Sequence, residues 1–121
     1  MKLLHHTRIR ILGWLMFALA AAAFAPLAQA GQFTAKIAAI LLYEDGNLVY
    51  VYPEGGVRSP PACHGANGDY TSFSMTRPRA KEYLAALLLA QAAGKSVTFH
   101  TRGSCFDQSM SETLQYFTIH S

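Results

Sequence analysis

The sequence predicts a mainly β protein with one helix, arranged as a five-stranded OB-like barrel in the order β-β-β-α-β-β. Five segments carry the alternating apolar and polar residues of strands, and one run of good helix formers lies between the third and fourth segments. The exported part of the chain is also short enough for a single domain. This order of elements is that of the OB fold. An open antiparallel α+β sheet with one packed helix gives the same order and is the alternative.

The first thirty residues have the composition of a cleavable signal peptide. Lys2, Arg8 and Arg10 precede an apolar stretch at 11–24, and Ala28-Gln29-Ala30 places small residues where signal peptidase reads them. About fourteen apolar residues are fewer than the roughly twenty that a spanning helix needs, which disfavours a membrane anchor. We therefore expect residues 1–30 to be removed and 31–121 to be exported as one domain, either periplasmic or secreted.

Removal of the leader changes the charge of the protein. The whole chain has ten Lys and Arg residues against seven Asp and Glu residues, and three of the basic residues belong to the leader. Residues 31–121 therefore carry seven of each and a formal net charge of zero. Nucleic-acid binding needs a surplus of positive charge to displace counterions, so we expect no nucleic-acid partner.

Cys63 and Cys105 are the two cysteines of the chain, and both lie in the exported part. In an oxidising compartment they predict one intramolecular disulfide, which would join the loop after the second strand to the loop after the fourth. Two free thiols, a shared metal ion and an intermolecular bond are the alternatives.

The first two strands are predicted as a hairpin. Residues 33–43 are predicted to form a long strand, half buried at first and buried on both faces later, that could serve both halves of a barrel. The turn at 44–47 contains Asp45-Gly46, and glycine supplies the positive φ that hairpin turns need. Residues 48–52 are rich in β-branched and aromatic residues and form the returning strand.

A long loop and a third strand follow. Residues 54–69 are dense in Gly, Pro, Asn and Asp, which disfavours regular structure, and loops of this length are often functional. Residues 70–75 alternate as the third strand, with Tyr70, Ser72 and Ser74 on one face.

The helix is predicted at 79–93, with Thr76 as its cap, Pro78 in its first turn and Gly94 as its stop. Its apolar arc is wider than packing on one sheet requires. Basic residues gather at its start and are predicted to form a solvated face, with an anion site as the alternative: Arg77, Arg79 and Lys81. The fourth and fifth strands are predicted at 96–101 and 113–120, separated by a polar loop at 102–111.

No arrangement of residues predicts catalysis or metal binding. His64, His100 and His120 have none of the short spacings typical of metal ligands. The chain lacks a Gly-x-Ser-x-Gly elbow and a Cys-x-x-Cys motif. We therefore expect a protein that is not an enzyme, with no catalytic residue, no metal ligand and no cofactor.

Binding residues are easier to identify. Six tyrosines remain after cleavage, and their amphipathic rings are typical of recognition surfaces. The loop pinned by Cys63 offers polar groups beside aromatic ones, so we take His64, Asn67, Asp69 and Tyr70 as candidate ligand-binding residues. An ordinary turn uses the same residue types and is the alternative.

Residues 80–105, AKEYLAALLLAQAAGKSVTFHTRGSC, contain a helix that ends in Ala-x-x-x-Gly-Lys-x-Val and then a Gly-x-Cys loop. This segment resembles small secreted proteobacterial proteins related to the binding (B) subunits of AB5 toxins, of the subtilase-cytotoxin and pertussis-like kinds. The resemblance covers about the last half of the exported chain. It implies an OB-type domain, a ring of five copies and glycan recognition. No sugar-contacting residue of that family is carried over, and nothing in the chain indicates a toxic A partner.

These observations favour an exported, non-enzymatic binding module that recognises a glycan and forms a homo-oligomer like an AB5 B subunit. The alternative is a periplasmic structural or inhibitor-like domain that binds a protein surface and no sugar.

Overall fold

The computed structural model describes residues 31–65 and 69–121, and the predicted leader and Asn67 lie outside them. The described chain forms six strands and one helix. The elements are β1 (Gln32–Ala35), β2 (Ile37–Tyr43), β3 (Leu48–Pro53), β4 (Thr71–Ser74), α1 (Ala80–Ala92), β5 (Val97–Thr101) and β6 (Leu114–Ile119). The prediction of a mainly β protein with one helix is confirmed.

The strands form two three-stranded antiparallel sheets, in the orders β1-β5-β6 and β2-β3-β4. The predicted first strand is two strands, because the chain leaves one sheet and enters the other at Lys36. The prediction that its later part is buried on both faces is wrong, since residues 41–43 are exposed. A register irregularity between Ile37 and Ala39 follows directly. Such irregularities bend a strand, which allows β1 and β2 to pair with different neighbours.

The two sheets also meet where β4 approaches the start of β6. Ser72 and Thr113 form an isolated parallel bridge, and the Ser72 amide donates a hydrogen bond of 3.0 Å to the Glu112 carbonyl. The parallel direction of this bridge contrasts with the antiparallel pairing inside both sheets.

The core lies between the sheets and under the helix. Val49, Val51 and Phe73 from the second sheet and Phe99 from the first are fully buried there, and α1 contributes Leu87. The period-two alternation of a strand explains why these residues are in the core, since Val49 and Val51 point inward while Tyr50 between them points to the opposite face.

The hairpin turn and the helix end follow the local sequence. Gly46 has a φ of +88° in the turn between β2 and β3, as predicted. Gly94, with a φ of +63°, follows the C-cap residue, and the Gly94 and Lys95 amides donate to the Gln91 and Ala90 carbonyls. This is the Schellman arrangement that glycine favours.

The predicted helix cap is wrong. Arg79 occupies the N-cap position, with no side-chain hydrogen bond to the helix. The Thr76 hydroxyl instead bonds to the Ser74 hydroxyl at 2.7 Å. Thr76 is thus held by the end of β4, three positions before the helix cap.

Cys63 and Cys105 are joined by a disulfide, with their Cα atoms 6.1 Å apart, so the predicted pairing is confirmed. The bond connects the loop after β3 to the loop after β5. Within the described residues, no helix is long and apolar enough to cross a membrane.

Candidate functional site

Four tyrosines form a continuous cluster on the outer face of the β2-β3-β4 sheet. Strand alternation places Tyr50 and Tyr52 opposite the inward-pointing valines of β3, and Tyr50 pairs with Leu41 of β2 and Ser72 of β4. Tyr43 ends β2, and Tyr70 immediately precedes β4. We call these residues the tyrosine cluster: Tyr43, Tyr50, Tyr52 and Tyr70.

The rings of the tyrosine cluster lie in a row. Tyr50 and Tyr70 stack with centroids 4.3 Å apart and an interplanar angle of 16°. Tyr43 stacks on Tyr50 at 5.4 Å, and Tyr52 packs tilted against Tyr70 at 5.1 Å. Tyr43 is exposed and Tyr52 and Tyr70 are half-buried, so the row presents aromatic surface to solvent from a firmly packed base at Tyr50.

The phenols of Tyr50 and Tyr52 favour their neutral form. Burial raises the pKa of the Tyr50 hydroxyl above its ordinary value, with further contributions from Tyr70 and Tyr43. Burial also raises the pKa of Tyr52, helped by Tyr70 and by the negative charge of Asp69. These hydroxyls therefore remain able to donate and to accept hydrogen bonds at neutral pH.

Gln108, in the loop before β6, connects two of the phenols. Its amide nitrogen donates to the Tyr50 oxygen at 2.6 Å, and its amide oxygen accepts a hydrogen bond of 3.3 Å from the Tyr70 hydroxyl. The same oxygen accepts from the Ser111 hydroxyl, which is bonded to the hydroxyl of Ser72 on β4. A polar network thus anchors one side of the tyrosine cluster to the sheet.

The loop that carries Gln108 is fixed to the sheet by Asp107. Its carboxylate accepts a hydrogen bond of 2.8 Å from the Ser74 amide and lies 3.6 Å from the Arg77 guanidinium. The Thr113 hydroxyl accepts from the Phe106 and Asp107 amides at 2.8 and 2.9 Å. The loop therefore presents Gln108 in a defined position.

The predicted ligand-binding residues occupy different surroundings. Tyr70 belongs to the tyrosine cluster, and the exposed Asp69 lies near enough to Tyr52 to influence its pKa. His64 instead lies against the backbone before β6, where its Nδ1 accepts a hydrogen bond of 3.0 Å from the Glu112 amide. Asn67 lies outside the described residues. Asp69 and Tyr70 are thus placed at the candidate site, whereas His64 supports a neighbouring loop.

The basic residues near the helix start do not form one solvated face. Arg77 is half-buried, and its guanidinium donates to the Leu114 and Gln115 carbonyls of β6, the latter at 2.8 Å. Arg79 and Lys81 are exposed, as predicted. Arg77 therefore attaches β6 to the segment before the helix, and its donors are engaged by the protein itself.

The other two histidines of residues 31–121, His100 and His120, lie in β5 and directly after β6. His100 stacks on Tyr116 with centroids 4.2 Å apart, and the His120 Nε2 bonds to the Thr98 hydroxyl at 2.7 Å. Among residues 31–65 and 69–121, no three His, Cys, Asp or Glu side chains are grouped to hold a metal ion.

The sequence points to the tyrosines as a group, but it does not predict that four of them stack in one row. The period-two spacing of Tyr50 and Tyr52 was a usable signal, because it places both rings on one face of a strand. Gln108 has no such signal, since its two partners Tyr50 and Tyr70 lie 58 and 38 residues away along the chain.

Searches of protein-family models, of curated proteins and of solved structures found no match to this chain.

Proposed function

We propose that this protein is an exported, non-enzymatic binding module that recognises glycans through the tyrosine cluster. The observation that carries the proposal is the row of stacked tyrosine rings, which is exposed at Tyr43 and hydrogen-bonded to Gln108. Aromatic faces suit the apolar C–H faces of sugar rings, while phenol and amide groups suit their hydroxyls. Export is supported by the leader sequence and by the disulfide, since such bonds persist in oxidising compartments.

We further propose that the two sheets form an OB-like barrel. Two connections between the sheets support this proposal. The chain passes from one sheet to the other at Lys36, and Ser72 and Thr113 form a parallel bridge between them. In OB folds, oligosaccharides bind on the face of the second and third strands and on the loops after the first and fourth. The corresponding parts of this chain are β3, β4, the 44–47 turn and the loop that carries Gln108, which are the parts that build and border the tyrosine cluster.

Assembly into a homo-oligomer is part of the same proposal, in agreement with the resemblance to AB5 B subunits. Leu41 and Leu42 of β2 and Leu88 and Leu89 of α1 are exposed. The helix packs beside β2, where Gln91 donates a hydrogen bond of 3.3 Å to the Ala38 carbonyl. Several copies held together would present several tyrosine clusters and bind multivalent glycans more tightly than one copy does.

A protein partner without a sugar ligand is the second candidate function. Phe106 is 75% exposed and Met110 is 57% exposed on the disulfide-linked loop. Aromatic residues and methionine are enriched in the cores of protein interfaces. If this function is correct, changes at Phe106 and not in the tyrosine cluster would abolish binding.

A glycan array probed with the disulfide-intact mature protein tests the proposal. The informative variant is Tyr43→Ser, because Tyr43 is 43% exposed at the open end of the row. The matched control is Tyr116→Ser, because Tyr116 is 47% exposed but stacks on His100 in the other sheet. We expect wild type and Tyr116→Ser to bind the same glycans and Tyr43→Ser to lose at least about tenfold in affinity, or about 1.4 kcal/mol.

Three results would contradict the proposal: no signal for any glycan, an equal loss in both variants, or full binding by Tyr43→Ser. Circular dichroism of each variant establishes that a lost signal reflects binding and not unfolding.

A further inference from the structure

Gly31, the first residue of the described chain, is held by a buried threonine. The Gly31 nitrogen donates a hydrogen bond of 3.1 Å to the Thr101 hydroxyl, which in turn donates to the Gly31 carbonyl at 3.2 Å. The Thr101 amide also donates to the Gly31 carbonyl at 2.9 Å. Three hydrogen bonds thus fix the position of a residue that directly follows the predicted cleavage site.

The surroundings of Gly31 have no room for a side chain. A Cβ atom at this position would lie 2.7 Å from the Thr101 hydroxyl oxygen and 3.6 Å from Glu112 Oε1. The first distance is shorter than real Cβ contacts, so a side chain at this position would force Thr101 to shift. The second distance shows that a carboxylate lies beside the backbone of Gly31.

Glu112 is a buried acid that forms no ion pair with another described side chain. Its side chain is 1% exposed, and its Oε1 accepts a hydrogen bond of 3.2 Å from the Gly103 amide. The ion pairs between described residues are Arg77–Asp107 and Arg79–Glu82, and neither includes Glu112. A buried carboxylate without a cation is costly, because burial removes the water that stabilises its charge.

The Gly31 nitrogen is close enough to supply that cation. Covalent geometry puts a backbone nitrogen about 2.5 Å from the Cβ position of its own residue, so the nitrogen lies within about 6 Å of Glu112 Oε1. Opposite charges within about 6 Å of each other attract strongly where water is excluded. As part of a peptide bond, however, this nitrogen is neutral and has one hydrogen, which is directed to Thr101.

We propose that cleavage between Ala30 and Gly31 creates the counter-ion of Glu112. Hydrolysis by signal peptidase breaks the bond between the Ala30 carbonyl carbon and the Gly31 nitrogen. The oxygen of water joins the Ala30 carboxylate, and the Gly31 nitrogen is left as an ammonium with three hydrogens. One hydrogen keeps the bond to Thr101, and the positive charge pairs with the Glu112 carboxylate. The inference rests on the predicted cleavage site and is independent of glycan binding.

This ion pair couples maturation to stability. The mature protein gains a charge pair at a buried site that the precursor lacks, so cleavage makes the folded domain more stable. The pair also ties the start of the chain to the segment before β6, next to the loop that carries Gln108.

The test is a double-mutant cycle on protein purified from the periplasm. One change is Glu112→Gln, which keeps the shape of the side chain and removes its charge. The other is insertion of a serine between Ala30 and Gly31, which moves the ammonium one residue away. We expect Glu112→Gln to raise the unfolding equilibrium constant in urea by at least about tenfold in the normal protein and by less than about twofold after the insertion.

A control and a second readout keep the result decisive. Glu82→Gln removes an exposed carboxylate paired with Arg79 and should show no coupling to the insertion. If Glu112→Gln does not fold, the rate at which an amine-selective acetylating reagent modifies the N-terminus decides instead. The normal Gly31 amine should react at least about tenfold more slowly than the displaced one. An intact mass that starts at another residue, a cycle without coupling, or equal labelling rates would overturn the proposal.

Discussion

The imidazole of His64 holds the polypeptide backbone at the point where two loops meet. Its Nδ1 accepts the Glu112 amide hydrogen, and the neighbouring Gly65 amide donates a hydrogen bond of 2.8 Å to the Met110 carbonyl. The adjacent Cys63 is bonded covalently to the loop after β5. Three successive residues therefore attach one loop to the other, beside the loop segment that positions Gln108.

Replacement of His64 by alanine should destabilise the protein by about 1–3 kcal/mol, because the amide of the buried Glu112 would lose its acceptor. Urea unfolding of the oxidised protein measures this change. His64→Asn is the matched control, since an asparagine oxygen can take the place of Nδ1 and should recover much of the loss. Equal stability of wild type and His64→Ala would mean that the hydrogen bond contributes nothing.

At the candidate site, the sequence predicts the place of some residues and not of others. Tyr70 borders a polar loop, which makes it a candidate ligand-binding residue, and it belongs to the tyrosine cluster. The same loop makes His64 a candidate, but an imidazole can bind backbone as readily as ligand, and its sequence neighbours do not distinguish the two uses. Gln108 lies in an ordinary polar loop, and only its contacts with Tyr50 and Tyr70 reveal its role.

The strands and the helix follow the local sequence pattern closely where one of their faces is buried. Alternation along β3 places its valines inward and its tyrosines outward. Gly46 and Asn47 occupy the positive-φ positions of the hairpin turn, and Gly94 occupies that of the helix end. The break at Lys36 has no local signal, because the alternating pattern continues through it. It arises from long-range pairing, since β5 pairs with β1 and β3 pairs with β2.

The helix offers a matched pair of leucines for testing its packing. Leu87 is fully buried and Leu89 is 70% exposed. Leu87→Ala should cost about 2–5 kcal/mol, because it leaves a cavity in the core. Leu89→Ala should change the stability of the monomer by less than about 0.5 kcal/mol. Thermal and urea unfolding at low protein concentration measure both, and similar losses for the two variants would show that the helix packs by another face.

At the scale of the whole molecule, the disulfide joins parts of the chain 42 residues apart. A domain of this size buries a modest fraction of its surface and depends on such links. Replacement of both cysteines by serine should lower the free energy of unfolding by about 4 kcal/mol, because the unfolded chain regains the freedom of that loop. Urea unfolding with and without reductant tests this, and a variant as stable as the oxidised wild type would contradict it.

The candidate site is a property of the whole fold. The tyrosine cluster draws its rings from the end of β2, from β3 and from the residue before β4, and Gln108 reaches it from the loop before β6. The sequence separates these segments widely, so their meeting depends on strand pairing and on the disulfide. The sequence therefore predicts that several tyrosines are suited to a surface, but not which residues the fold brings together there.

NMR chemical-shift mapping locates the surface of the protein that binds a glycan. Isotopically labelled, disulfide-intact mature protein is titrated with the oligosaccharide that gives the strongest array signal. If glycans bind at the tyrosine cluster, we expect saturable shifts at its four tyrosines and at the Gln108 side-chain amide. We expect little change on the β5–β6 face. Saturable shifts confined to the β5–β6 face, or no shifts with any oligosaccharide tried, would contradict it.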